Sequence, residues 1–237
     1  MHKSKLLPNT LCTICGRKGS RGVKNKNSRL MLGKPLFLHT LDAAIKSKVF
    51  HTIVLSSDDE AIIKTGDKMG VQTIFREAEL CGDEAGKVPV IRHALLTVEE
   101  KLNIKFDLIF DLDITSPLRS VADIRKAHWL LNNSDAGNIV SVCDSGRSPY
   151  FNMVEKMTNG NFELCKKSDR TFLSRQTTPE VFELNASIYG WKRDTLLNSN
   201  NNTPILEHTH YYKMPRHRSI DIDDELDWKI VEFLLRD

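Results

Sequence analysis

No apolar run in the 237-residue chain approaches the roughly 20 residues that a membrane span needs, and only Leu6 and Leu7 precede Pro8 near the start. Neither a membrane protein nor a signal-peptide core is expected, and the cytoplasm is the expected compartment. Cysteine is sparse: five residues, odd in number and scattered, suit a reducing compartment better than a disulfide framework. Cys12-x-x-Cys15 has no second pair to complete a zinc frame, and a three-residue offset on a strand sends the two thiols to opposite faces. Buried packing is the expected role for both. The chain also lacks a dominant charge, with 34 Lys and Arg against 31 Asp and Glu. That balance argues against a nucleic-acid-coating protein, although a local basic cluster could still serve a phosphate ligand. Twelve Gly and eight Pro exclude collagen and leave little room for low complexity. There is no internal repeat. What remains is an ordinary globular composition, 40% hydrophobic and 27% charged, in a chain long enough to bury roughly 70% of its unfolded surface.

Hydrophobic periodicity predicts strands over residues 10–14, 52–55, 71–75, 108–112 and 139–142. Between them it predicts helices over 35–48, a segment from the acidic 58–60 turn to Gly70, 88–102 and 121–131. Ser57 is the expected N-cap of the second helix, with Asp58, Asp59 and Glu60 against the positive end of its dipole. Strands alternating with helices of this length indicate βαβ units, so the fold class is α/β, a doubly wound and mainly parallel sheet. From Asp144 the rhythm breaks. Asn159-Gly160 between two short extended runs signals a hairpin, and residues 144–187 read as an inserted arm on a single domain. Residues 188–191 return to the sheet and 225–235 form a closing amphipathic helix. Ligands of such sheets bind beyond the carboxyl ends of the strands, which directs attention to the loops after Ile14, Leu55, Phe75 and Leu112.

The loop from Cys15 to Asn27 follows the first strand and carries Gly16, Gly19 and Gly22 with Arg17, Lys18, Arg21, Lys24 and Lys26. Its glycines let backbone amides approach a ligand, and its cations suit a polyphosphate. The spacing is not that of a Walker A loop, which would need Gly-Lys where Arg21-Gly22 stands, nor that of the dinucleotide fingerprint, which needs Gly at Lys18. A P-loop kinase is thereby disfavoured. A solvated basic surface loop is the alternative.

The same loop resembles the signature of acylneuraminate cytidylyltransferases, the CMP-sialic acid synthetases: Arg17, Gly19, Ser20, Lys26 and Asn27 match, while Gly16, Lys18 and Arg21 depart from it. Leu32-Gly33-Lys34-Pro35-Leu36, Ser56-Ser57-Asp58-Asp59, Arg76-Glu77-Ala78-Glu79-Leu80, Thr115-Ser116-Pro117-Leu118-Arg119, Asn185-Ala186-Ser187-Ile188-Tyr189 and Ser219-Ile220-Asp221-Ile222-Asp223 resemble further family segments in order. The likeness covers almost the whole chain, and Asp111-Leu112-Asp113-Ile114 is similar to bacterial members acting on legionaminic-type sugars.

The resemblance implies a nucleotide-diphospho-sugar transferase type of sheet and a reaction in which CMP from CTP is joined to a nine-carbon keto acid sugar of sialic, legionaminic or pseudaminic type, with pyrophosphate released. It implies Gly16, Arg17, Gly19, Ser20, Arg21, Lys26, Asn27 and Arg76 around the nucleotide, with Arg17, Arg21 and Lys26 as the catalytic cations. Asp113, Thr115, Ser116, Arg175 and Asn185 fall on the sugar side, Asp221 and Asp223 bind Mg²⁺, and the arm makes a homodimer. Asp113 stands where Gln is usual, and a carboxylate there would accept hydrogen bonds from sugar hydroxyls or acylamino groups, or join the metal shell. Apart from the resemblance, Asp223 and Asp224 read as helix-capping acids, Arg175 as a surface arginine, and His208, His210 and His217 as exposed side chains. Another keto acid sugar, such as a Kdo-type acid, is the nearest alternative substrate. A catalytically silent sugar-nucleotide-binding protein is the alternative of another class.

Overall fold

A computed structural model describes residues 8–19, 22–82, 86–198 and 202–236. Ser20 and Arg21 therefore lie outside the described residues. In chain order the strands are β1 (Thr10–Gly16), β2 (Leu30–Met31), β3 (Lys34–Pro35), β4 (Thr52–Ser57), β5 (Gln72–Phe75), β6 (Leu108–Leu112), β7 (Asn138–Asp144), β8 (Val154–Lys156), β9 (Phe162–Leu164), β10 (Phe182–Lys192) and β11 (Thr209–Lys213). The helices are α1 (Leu36–Ser47), α2 (Glu60–Lys68), α3 (Lys87–Leu102), α4 (Val121–Asn132), α5 (Arg193–Asn198) and α6 (Glu225–Leu234). No helix among the described residues is long and apolar enough to cross a membrane.

Seven strands form one sheet in the order β11-β7-β10-β6-β1-β4-β5. All are parallel except β10, which runs antiparallel to both β6 and β7. Alternation along β1 divides the core. Cys12 and Ile14 join one cluster with Phe37 and Leu41 of α1, Ile124 of α4 and Trp228 of α6. Leu11 joins the other with Ile91 and Leu95 of α3 and Leu196 of α5. Both faces are thus covered by helices, as the βαβ rhythm predicts. Cys12 is buried, while Cys15 is only half-buried and packs on the opposite face.

Local chemistry sets the element ends. Ser120 and Asp123 form a reciprocal capping box on α4. The expected Ser57 cap of α2 is corrected: Asp59 is the N-cap, accepting from the Ala61 amide at 2.9 Å, and the Ser57 hydroxyl instead accepts from the Asp59 amide at 3.0 Å. β4 runs through Ser57, so the helix begins two residues later than the acidic cluster suggests.

The excursion off the sheet covers residues 145–181, because β10 already pairs with β7 from Phe182. Within it β8 and β9 form the antiparallel hairpin signalled by Asn159-Gly160, with Gly160 at φ +86°. Register shifts in β10 between Leu184 and Tyr189, where Ala186 takes φ +52°.

Candidate active site

Two cavities open beyond the carboxyl ends of β1 and β6. One, about 230 Å³, is lined by Cys15, Arg17, Arg76, Leu80, Gly82, Gly86, Lys87, Val90 and Asp113. The other, about 410 Å³, is lined by Cys15, Gly16, Arg17, Gly22, Lys26, Asn27, Asp113, Thr115 and Asp223. Cys15, Arg17 and Asp113 belong to both, so they mark the junction.

The basic loop is a clasp fastened at several points. Val23 is fully buried in the core. Asn27 donates from Nδ2 to the Arg17 carbonyl at 3.0 Å, and its own carbonyl accepts the Phe37 amide at 3.0 Å. The Lys18 amide donates to Asp58 Oδ1 at 2.6 Å, tying the loop to the end of β4. Lys26 Nζ donates to the Ile222 carbonyl. A Cβ on Gly22 would stand 1.8 Å from the Asp223 carbonyl oxygen, so backbone lies on backbone here and only glycine fits. Gly19 has φ +84° with no atom within 4 Å of a Cβ position, a conformation that favours glycine for backbone reasons alone. The loop after β1 and the Asp221–Asp223 segment, some 200 residues apart in sequence, are thus held in contact.

On the acidic side, Ile222 is fully buried and its amide donates to the Thr115 carbonyl at 2.9 Å. Asp221 and Asp223 flank it. Asp221 Oδ1 is buried and has no hydrogen-bond partner. Burial, with Asp113 adding to it, pushes the Asp221 carboxyl above the usual carboxylate range. Asp224 caps α6 through the amides of Leu226 and Asp227, at 2.8 and 2.9 Å.

Asp113 is fixed on every side. Its carbonyl accepts from Thr40 Oγ1 at 3.2 Å and from Arg119. Its Oδ1 accepts from Thr115 Oγ1 at 3.1 Å, and its Oδ2 pairs with Lys87. Burial alone would raise its pKa, but Lys87, with Arg119 and the Thr115 amide, outweighs burial and holds the carboxyl below the ordinary range. Arg119 is buried, bonded also to Thr40 and Ser187 at 3.0 Å, and burial brings it down to about 10. Ser116 is buried with an unpartnered hydroxyl.

Other sequence-derived candidates occupy different places. Arg76 is buried and donates to the Gly16 carbonyl at 2.7 Å, so it holds the start of the loop as well as lining the smaller cavity. Asn185 lies in the β10 bulge, where Oδ1 accepts from Ser141 Oγ at 2.6 Å and Nδ2 donates to Ser219 Oγ at 2.8 Å. It stitches the bulge to β7 and to the irregular segment leading into Asp221, and lines neither cavity. Arg175 is exposed on the arm and donates to the carbonyls of Ser145 and Gly146 at 3.0 and 3.2 Å, also outside both cavities. Lys87, which lines the smaller cavity and pairs with Asp113 and the buried Asp111 behind it, is a residue that sequence reasoning passed over. The one sequence signal for Lys87 is a cation at the start of a helix, where the dipole disfavours it.

Residues 11–230 match the family described as Cytidylyltransferase. A CMP-N,N'-diacetyllegionaminic acid synthase of Campylobacter jejuni is 41% identical over 226 residues, spanning 95% of this chain and 94% of that protein. A post-translational flagellin modification protein B of Campylobacter coli is 41% identical over 228 residues, spanning 96% and 95%. Among solved structures, a CMP:2-keto-3-deoxy-manno-octonic acid synthetase complexed with CTP superposes with TM-score 0.69 at 15% identity, covering 96% of this chain and 98% of that one. At that identity the likeness speaks for the fold.

Proposed function

The chain belongs to the cytidylyltransferase family, and from that premise we propose that it joins the CMP part of CTP to a nine-carbon keto acid sugar, with release of pyrophosphate. Similarity over nearly its full length to a CMP-N,N'-diacetyllegionaminic acid synthase supports a nonulosonic acid of legionaminic type as the acceptor. The observation that carries the reading is the convergence of Gly16, Gly22, Lys26 and Asn27 with Asp223 around one cavity, whose far wall is shared with a second, less polar one.

A nucleoside fits the smaller cavity, where Leu80 and Val90 offer apolar contact and the Gly82 and Gly86 backbone offers hydrogen-bonding groups. The triphosphate then lies along the loop, with Arg17 and Lys26 neutralising charge that grows on the phosphoryl oxygens. The sugar hydroxyl attacks the α-phosphorus in line with departing pyrophosphate, so catalysis is mostly orientation and charge stabilisation. Ser20 and Arg21 complete the nucleotide set on the strength of the loop sequence.

The carboxylates also suit Mg²⁺. Asp221 has an orphaned buried oxygen, and its partner Asp223 faces the cavity. Mg²⁺ keeps few protein ligands, so two carboxylates with substrate phosphate oxygens and water would complete its shell. Held by Asp221 and Asp223, Mg²⁺ would supply Lewis-acid stabilisation of the phosphoryl oxygens.

The arm supports a homodimer. Met153, Val154 and Phe162 are exposed on or beside a two-stranded hairpin that is too small to be stable alone, and Leu173 is exposed on the arm beyond it. The proposed reaction needs an intracellular pool of CTP, which supports the cytoplasm as its place. The activity is tested by incubating purified protein with CTP, Mg²⁺ and a panel of sialic, legionaminic, pseudaminic and Kdo-type acids. Mass spectrometry should find a CMP-sugar with a nonulosonic acid; folded protein that binds CTP yet gives no product with any acid would contradict the reading.

A further inference from the structure

Lys87 is the first residue of α3, with Gly86 at φ +37° before it and no acidic residue in the first turn. A cation here opposes the helix dipole, so its position needs a compensating reason. The ammonium bridges two carboxylates at the end of β6, lying 3.1 Å from Asp111 Oδ2 and in contact with Asp113 Oδ2. It also lies 4.9 Å over the Tyr189 ring of β10. Asp111 is fully buried, and its other oxygen accepts from Thr13 Oγ1 at 2.7 Å. Asp113 is the carboxylate of this pair that borders both cavities.

The junction of the two cavities is where the α-phosphorus must lie if the nucleoside and the outer phosphates fill one cavity each. An incoming sugar hydroxyl has to meet it there. Asp113 faces that point with Asp221 nearby and a polyanion about to arrive, an arrangement that would drive an untethered carboxylate away. Its backbone is fixed by Arg119 and Thr40, its Oδ1 by Thr115, and its Oδ2 by Lys87.

Resting on the proposed cytidylyl transfer, we infer that Lys87 is a positioning residue for the sugar acceptor: it pins the Asp113 carboxylate so that its remaining lone pairs receive the hydroxyls of the keto acid sugar beside the α-phosphorus. Asp111 serves as the buried anchor that keeps the ammonium in place. The lysine acts through Asp113, so its effect belongs to the sugar and not to CTP.

The test is a double-mutant cycle with Lys87→Met, Asp113→Asn and their combination. It is read by kcat and KM for the sugar at saturating CTP, by calorimetric CTP affinity and by thermal midpoint. Lys87→Met is expected to lower kcat/KM for the sugar by about 10²-fold, the scale of an ångström's misplacement, with CTP affinity within about twofold and the combined variant no worse than Asp113→Asn. Lys87→Arg, which keeps the charge, should recover most of the loss. Lys87→Met with Asp111→Asn removes the uncompensated buried charge, and this variant gives the same readout if Lys87→Met alone does not fold. Independent, multiplying losses in the combined variant, or a fall in CTP affinity matching the fall in kcat/KM, would overturn the inference. A wild type that makes no CMP-sugar would remove the underlying reading first, whereas an active wild type with unchanged sugar kinetics in Lys87→Met would remove this inference alone.

Discussion

Asp224 commits its carboxylate to the amides of Leu226 and Asp227, whereas Asp223, one residue earlier, lines the cavity with Gly22 and Lys26. The sequence offers capping and metal binding as alternatives for these neighbours; the structure gives the cap to Asp224 and sets Asp223 in the lining of the cavity where the proposed ion would lie. Asp223→Asn is therefore expected to raise the Mg²⁺ concentration needed for half-maximal turnover and to lower the maximal rate. Asp224→Ala should cost about 1 kcal/mol of stability, as lost N-caps do, and leave the Mg²⁺ titration where it was. Titrating both variants with Mg²⁺ and melting both would separate the two roles; a shifted titration in Asp224→Ala alone would reverse them. Lys87 and Asp111 were not legible beforehand, because their partnership joins the start of a helix to the end of a strand 24 residues away and leaves no local spacing to read.

At the scale of elements, Glu99 on α3 shows how the framework behind the site is tied together. It is buried, pairs in a fork with Arg193 at 2.8 and 2.9 Å, and accepts from the Phe106 amide at 3.1 Å. Burial alone would raise its pKa, but the bonds from Arg193 and Lys105 outweigh it and bring the carboxyl down to about 2. A carboxyl whose pKa is lower in the folded state contributes stability above its ordinary range. That contribution is lost as pH falls from about 4.5 toward about 2. Glu99→Gln should thus be less stable than wild type at neutral pH and lose less further stability through that window, as followed by thermal melts against pH. Equal pH slopes would refute the linkage.

The inserted arm is the element that only partly declares itself. Asn159-Gly160 marked its hairpin, but the early return of β10 at Phe182 was hidden because Glu183 and Leu184 are exposed there and show no core pattern. Light scattering at working concentration should give a dimer, reduced to monomers or insoluble chains when residues 145–166 are removed. A wild-type monomer would leave the exposed apolar hairpin unexplained.

For the whole molecule, alternating strands and helices made the doubly wound sheet readable and pointed to the edge where the candidate cavities open, since parallel strands deliver their following loops to one edge. Composition could not reveal that β10 is reversed between two parallel neighbours, or that Arg76 braces the start of the basic loop and Asn185 the β10 bulge. Those outcomes depend on long-range packing: the Asn185 amide reaches Ser141 and Ser219, 44 and 34 residues away. The central claim is that the edge of this sheet presents a sugar hydroxyl to the α-phosphorus of CTP. It is tested most directly with a nonulosonic acid carrying ¹⁸O in its anomeric hydroxyl, incubated with the protein, CTP and Mg²⁺. The label should appear in the bridging oxygen of the CMP-sugar and be absent from pyrophosphate. A CMP-sugar without the label would show that the sugar oxygen is not the nucleophile, and would contradict the account.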